Sequence, residues 1–155
     1  MFRNDLDWLD YCLNEKGYLL HGSPHQLGRL TPQQAHDTER QSGCYKAVYA
    51  TRHRLVAIVS SLLARSLEPG FYHTLWECNG SDIRVVGYNA DWGDRGYVYV
   101  LHPAYFEPLY EGDGSFSGEY ISRQPVEPEG VITFTREILE RLPISFQFYP
   151  PRALQ

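Results

Sequence analysis

Tyr18-Leu19-Leu20-His21-Gly22-Ser23 is an apolar, extended-looking run that closes on a histidine and a glycine. Tyr18 to His21 reads as a short strand, because Lys16-Gly17 just before it carries the signature of a helix stop. Two later runs have the same build: Ala47-Val48-Tyr49-Ala50-Thr51 and Ser117-Gly118-Glu119-Tyr120-Ile121-Ser122. Each holds one side chain suited to a nucleotide, in the order His, Tyr, Glu. The fold follows from how the rest of the chain connects these runs.

Upstream, Leu6, Trp8, Leu9, Cys12 and Leu13 recur at helical spacing, so residues 5–15 are expected to form a helix. Downstream, Ser23 to Leu30 reads as a loop. Thr31, Pro32 and Gln34 make a capping signature for a short surface helix that Gly43 ends. Thr51 reads as the cap of a longer helix, Arg52 to Arg65, whose Leu55, Val56, Ile58, Val59, Leu62 and Leu63 form one broad apolar stripe. Pro69-Gly70 stops it.

Beyond that point the chain turns β-rich. Residues 71–77, 82–86 and 97–102 read as strands separated by turn residues, with a hairpin loop at 89–96. Residues 103–111 read as irregular, and 112–118 as a flexible, polar approach to Glu119. Residues 119–122 and 131–135 are strands, 136–142 one or two helical turns, and 146–149 a terminal edge strand. Strands and helices do not alternate regularly, which argues against a doubly wound parallel sheet. The expected class is α+β: two small antiparallel sheets packed face to face, with flanking helices.

The whole chain, 155 residues, has the size of one domain. Its 43% hydrophobic content suffices for a core without a disulfide or metal staple. The net charge of −5 makes it a poor electrostatic partner for DNA. That charge is uneven: residues 1–65, with 8 Lys/Arg and 6 Asp/Glu, carry a net +2, and the remainder, with 6 and 13, a net −7. The N-terminal part is therefore the better home for an anionic ligand. The three cysteines, Cys12, Cys44 and Cys78, are widely spaced, which argues against a disulfide framework and against zinc, and fits a reduced compartment. The polar, acidic start Met1 to Asp7 does not read as a signal peptide, and no apolar run reaches transmembrane length. A cytoplasmic protein is the expectation; an effector delivered by a non-classical route would look the same.

Each candidate residue has a physical rationale. His21 can bond a sugar hydroxyl, and Gly22 after it lets a ligand approach the backbone. Tyr49 offers a flat ring at a strand end. Arg52 and Arg54 begin a helix, where guanidinium groups and free N–H groups both suit phosphate. Glu119 opens a strand after a glycine-rich approach. His36, His53, His73 and His102 have no metal-ligand spacing, so no metal is expected. No phosphate-binding glycine motif or serine nucleophile elbow is present.

In order and strand context, these three runs resemble the NAD site of the His-Tyr-Glu class of ADP-ribosyltransferases, which includes poly(ADP-ribose) polymerases and diphtheria-type toxins. The resemblance covers roughly residues 17–66 and 117–135. It implies a split β-sandwich with NAD bound between two sheets. It implies that His21 bonds a ribose hydroxyl, that the Gly22 backbone holds the nicotinamide carboxamide with Ser23 beside it, and that Tyr49 stacks on the nicotinamide ring. Glu119 would bond the ribose 2′-hydroxyl and stabilise the cation formed as nicotinamide leaves. Arg52 and Arg54 would reach the pyrophosphate.

The chain departs from the polymerases in the helix after Tyr49. Ala57 stands near their serine position, the stretch from Leu55 to Ser61 has no tyrosine, and Ser60 and Ser61 are its only hydroxyls. The implied activity is therefore mono-ADP-ribosyl transfer to an unidentified acceptor: a protein, a nucleic acid or a small molecule. An NAD glycohydrolase, a non-catalytic nucleotide- or partner-binding module of the same fold, and an unrelated interaction domain are the alternatives. A toxin of this class would be matched by an immunity or antitoxin protein.

Overall fold

The computed structural model describes residues 4–34, 45–64, 73–79, 82–88 and 91–149. In chain order the elements are α1 (Asp5–Asn14), β1 (Leu19–Ser23), β2 (Gln33–Gln34), β3 (Lys46–Thr51), α2 (Arg54–Leu62), β4 (Leu63–Ala64), β5 (His73–Asn79) and β6 (Asp82–Tyr88). Then follow β7 (Asp91–Trp92), β8 (Arg95–Leu101), β9 (Glu107–Tyr110), β10 (Phe116–Ser122), β11 (Gly130–Thr135) and β12 (Ile144–Tyr149). Short 3₁₀ turns occupy Pro103–Tyr105 and Arg136–Arg141.

The class is α+β. The main sheet runs β11-β8-β1-β3-β10-β9, with β2 added to β3, and every pairing in it is antiparallel. A smaller sheet has the order β12-β6-β5, and there the expectation of antiparallel strands fails, because β12 lies parallel to β6. Nor do helices merely flank two stacked sheets. α2 packs on β1 and β8 of the main sheet and also on β6 of the smaller one, so it lies between them. The reason is its composition: Leu55, Ala57, Ile58, Val59 and Leu62 are all buried, and Ser61 donates to the Ile58 carbonyl at 2.6 Å, so the helix is apolar nearly all round.

Two glycines allow that helix to lie so close. A Cβ on Gly22 of β1 would stand 2.0 Å from the Ala57 carbonyl oxygen, and one on Gly96 of β8 would stand 2.4 Å from the Ser61 carbonyl oxygen. Strand alternation then sorts the core. Leu20, Val98, Val100, Ile132 and Phe134 face α2, α1 and the smaller sheet. Leu19, Leu30, Val48, Ala50, Tyr99, Leu101 and Val126 pack on the opposite face.

Several boundaries shift. Thr51 is the last residue of β3, and His53, not Thr51, occupies the N-cap of α2. The helix expected after Thr31 is replaced over Gln33–Gln34 by β2, which pairs with β3, and its remainder lies outside the described residues. The stretch read as irregular contains β9, and β10 starts at Phe116, inside the segment read as flexible. Phe146 to Tyr149 does form a terminal strand, as part of β12.

Candidate functional site

The three motif runs become three adjacent strands. β3 lies between β1 and β10, and Leu20, Thr51 and Glu119 form one row across them. Thr51 is buried, and Glu119 beside it is half-buried. By alternation Tyr49, Thr51, Glu119 and Ile121 share the α2 face, whereas His21 starts on the other face with Leu19 and Tyr99.

The ladder between β1 and β3 explains how the two sides meet. Leu20↔Thr51 is its one pair, although β1 pairs with β8 along its full length, from Leu19 to Ser23. On the N-terminal side of Thr51 no further β1–β3 pair follows, and β3 pairs with β2 farther back, Gln33 opposite Ala47. The result is a gap in the ladder between β1 and β3. Residues 21–23 line one side and 48–50 the other. The Leu20↔Thr51 pair closes one end.

His21 reaches into this gap, its Nδ1 lying 2.5 Å from the Tyr49 carbonyl oxygen. A carbonyl oxygen only accepts, so Nδ1 carries the proton. Burial pushes the His21 pKa down, against the Tyr49 carbonyl bond that raises it, so the neutral ring is favoured. Nε2 then presents a lone pair and has no hydrogen-bond partner among the described residues. With Nδ1 donating to the Tyr49 carbonyl, Nε2 is the nitrogen that could accept a hydrogen bond from a hydroxyl.

Tyr49 is half-buried and fixed at its far end. Its hydroxyl donates to the Tyr45 carbonyl at 3.2 Å and accepts from the Tyr45 N–H at 3.1 Å. Glu119 is aimed by the turn before it. Gly118 has φ +85, and the β9–β10 register shifts between Phe116 and Tyr120, which is the behaviour of a bulge that re-aims a side chain. The Glu119 N–H donates to Ser117 Oγ at 3.1 Å, and Ser117 Oγ donates to the Leu109 carbonyl at 2.6 Å.

Other expected site residues are placed differently. The missing side chain of Gly22 makes room for α2. Ser23 is buried, and its Oγ accepts from the His25 N–H at 3.1 Å. Ser60 is half-buried on α2. Arg52 and Arg54 do not point to the gap. The Arg52 Nη2 donates to the Leu13 carbonyl at 2.9 Å and the Arg54 Nη1 pairs with Asp10 Oδ2 at 2.8 Å, both tying α2 to α1. They line a hollow of about 280 Å³ between those helices, together with Leu13 and His53.

The sequence reading missed Tyr99. It is 1% exposed, its ring centroid lies 6.4 Å from that of His21, and its hydroxyl donates to the His25 carbonyl at 2.8 Å while accepting from the Leu27 N–H at 2.5 Å. Burial raises its pKa, so the phenol keeps the proton it donates. Only its strand, 97–102, was legible; contacts spanning 72 and 74 residues have no local signal.

Among the described residues no group of His, Cys, Asp and Glu gathers to hold a metal ion, and no helix is long and apolar enough to cross a membrane. No family model, curated protein or solved structure matches the chain.

Proposed function

We propose that the gap between β1 and β3 binds the nicotinamide riboside end of NAD, and that the protein transfers ADP-ribose to an acceptor with release of nicotinamide. One observation carries the reading: the His, Tyr and Glu runs, far apart in the chain, lie on neighbouring strands with Leu20, Thr51 and Glu119 in a single row at the point where the ladder opens. A β-rich interaction domain with no site would give no reason for that coincidence.

The chemistry follows from the groups present. The bond that breaks joins the nicotinamide nitrogen to C1′ of the ribose; the electron pair leaves with nicotinamide, and C1′ becomes oxocarbenium-like. The Glu119 carboxylate would accept from the 2′-hydroxyl and lie against the developing positive charge, an interaction stronger in the transition state than in the ground state. His21 Nε2 would accept from a second ribose hydroxyl and fix the sugar, while the Tyr49 carbonyl holds the imidazole in the tautomer that accepts. The Tyr49 ring, immobilised through its hydroxyl, gives the leaving base a flat wall. An acceptor nucleophile then adds to C1′; with water in that place the same site is an NAD glycohydrolase.

A second reading, binding without turnover, has its own support in Ala57. That residue is buried against Gly22, so the helix has no hydroxyl at that position for the carboxamide. Incubation of the purified chain with NAD, beside a Glu119→Gln variant, separates the two. Transfer chemistry predicts nicotinamide release by the parent and a loss of about 10²-fold or more in the variant. NAD-dependent thermal stabilisation with no release, even when cell extract is supplied as acceptor, would leave only the binding module.

A further inference from the structure

The segment that leaves the gap is itself held in place. Pro24 to Arg29 runs from β1, directly after the residues on one side of the gap, toward β2, yet every residue in it is exposed and none belongs to a strand or helix. Such a loop would ordinarily be loose. Instead it is pinned at three places. Ser23 Oγ holds the His25 N–H, Leu30 exchanges backbone hydrogen bonds with Val126 at 2.9 and 2.8 Å, and between them the Tyr99 hydroxyl takes both the His25 carbonyl and the Leu27 N–H. The same Tyr99 stands opposite His21 in the β1–β8 ladder, with its ring against the imidazole.

We infer that Tyr99 is a positioning residue, which couples His21 to the 24–29 loop so that the ring and the loop that leaves the gap are set as one unit before NAD binds. This rests on the reading of the gap as the NAD site. The argument is one of preorganisation. A phenol buried in the sheet has little freedom to lose, and a loop tied to it need not be ordered at the moment of binding. A phenylalanine would pack equally well under His21, so the hydroxyl is the part of Tyr99 whose role lies in the loop.

Tyr99→Phe isolates that role, and trypsin reports it without reference to activity. The bond after Arg29 follows an exposed arginine but precedes the buried, doubly bonded Leu30, so it is cut only when the loop opens. The expected result is faster cleavage at that bond by about tenfold, with the Michaelis constant for NAD raised by a similar factor and the turnover number within about twofold of the parent, the scale of one to two lost hydrogen bonds. Protection of the same bond by NAD should be strong in the parent and weak in the variant. Unchanged cleavage would overturn the inference, as would equal loss of turnover at unchanged Michaelis constant, which is the pattern of a damaged catalytic group. If the parent neither binds NAD nor releases nicotinamide, the proposed function falls and this inference with it. An active parent beside an unaffected variant overturns the inference alone.

Discussion

β1 has two edges, and they are built in opposite ways. Toward β8 it pairs at each residue from Leu19 to Ser23, and α2 seals that flank by lying on Gly22 and Gly96. Toward β3 it pairs once and then parts, with a histidine side chain in place of the missing rung. Backbone groups withdrawn from water need partners, so a sheet does not open without something to occupy the opening. A neutral imidazole bonded to a strand carbonyl supplies half of that and leaves one nitrogen to spare. The closed edge gives rigidity, and the open edge gives a place where a ligand can meet both strands.

The closed flank should be the more fragile to added bulk. Gly22→Ala puts a methyl group 2.0 Å from backbone that cannot move without shifting α2, and a loss of about 3 kcal/mol or more is expected. A denaturant melt checks it; a change under about 1 kcal/mol would mean that α2 is not seated on β1 as described. On the open flank the expected effect is on rate. Glu119→Gln should cut nicotinamide release by about 10²-fold.

A smaller effect concerns pH. His21 is depressed below its ordinary value of 6.5 in the folded chain, so on acidification the unfolded state takes up a proton first. Stability from this group is therefore complete above 6.5 and is lost as the pH falls below it, down to the folded value. Denaturant melts between about pH 7.5 and about pH 5.5 should show that slope in the parent and a shallower one in His21→Gln. A parent stability that rises on acidification through this range would contradict the neutral ring. The smallest effect is expected far from the gap. Arg54→Ala removes a pair in which Arg54 is 30% and Asp10 46% exposed, so it should cost no more than about 1 kcal/mol. Its Michaelis constant for NAD should stay within about twofold; a tenfold rise would restore Arg54 as a phosphate ligand.

The difference between the two edges also marks what was legible in the sequence. Elements governed by local pattern could be read directly: the apolar stripe of α2, the β1 run, the glycine before Glu119. Their meeting in one sheet could only be supposed, through the resemblance of three short runs. What escaped was non-local. β9 is short and holds Pro108, so it carries no strand pattern of its own, and it exists because β10 pairs with it. The parallel pairing of β12 is set by packing of Phe148 and Ile144 into the shared core. Arg52 and Arg54 have the chemistry of phosphate ligands, but the partner that claims them is α1, about forty residues earlier. Gly22 invited a functional reading, whereas its immediate cause is steric.

The claim that the open edge of β1 is the NAD site is tested most directly by mapping backbone amide chemical shifts of the chain as NAD is added. The account predicts the largest shifts at residues 21–23, 48–51 and 117–119, on both sides of one gap. Shifts centred on the α1–α2 hollow at Arg52 and Arg54, or no shifts at millimolar NAD, would contradict it.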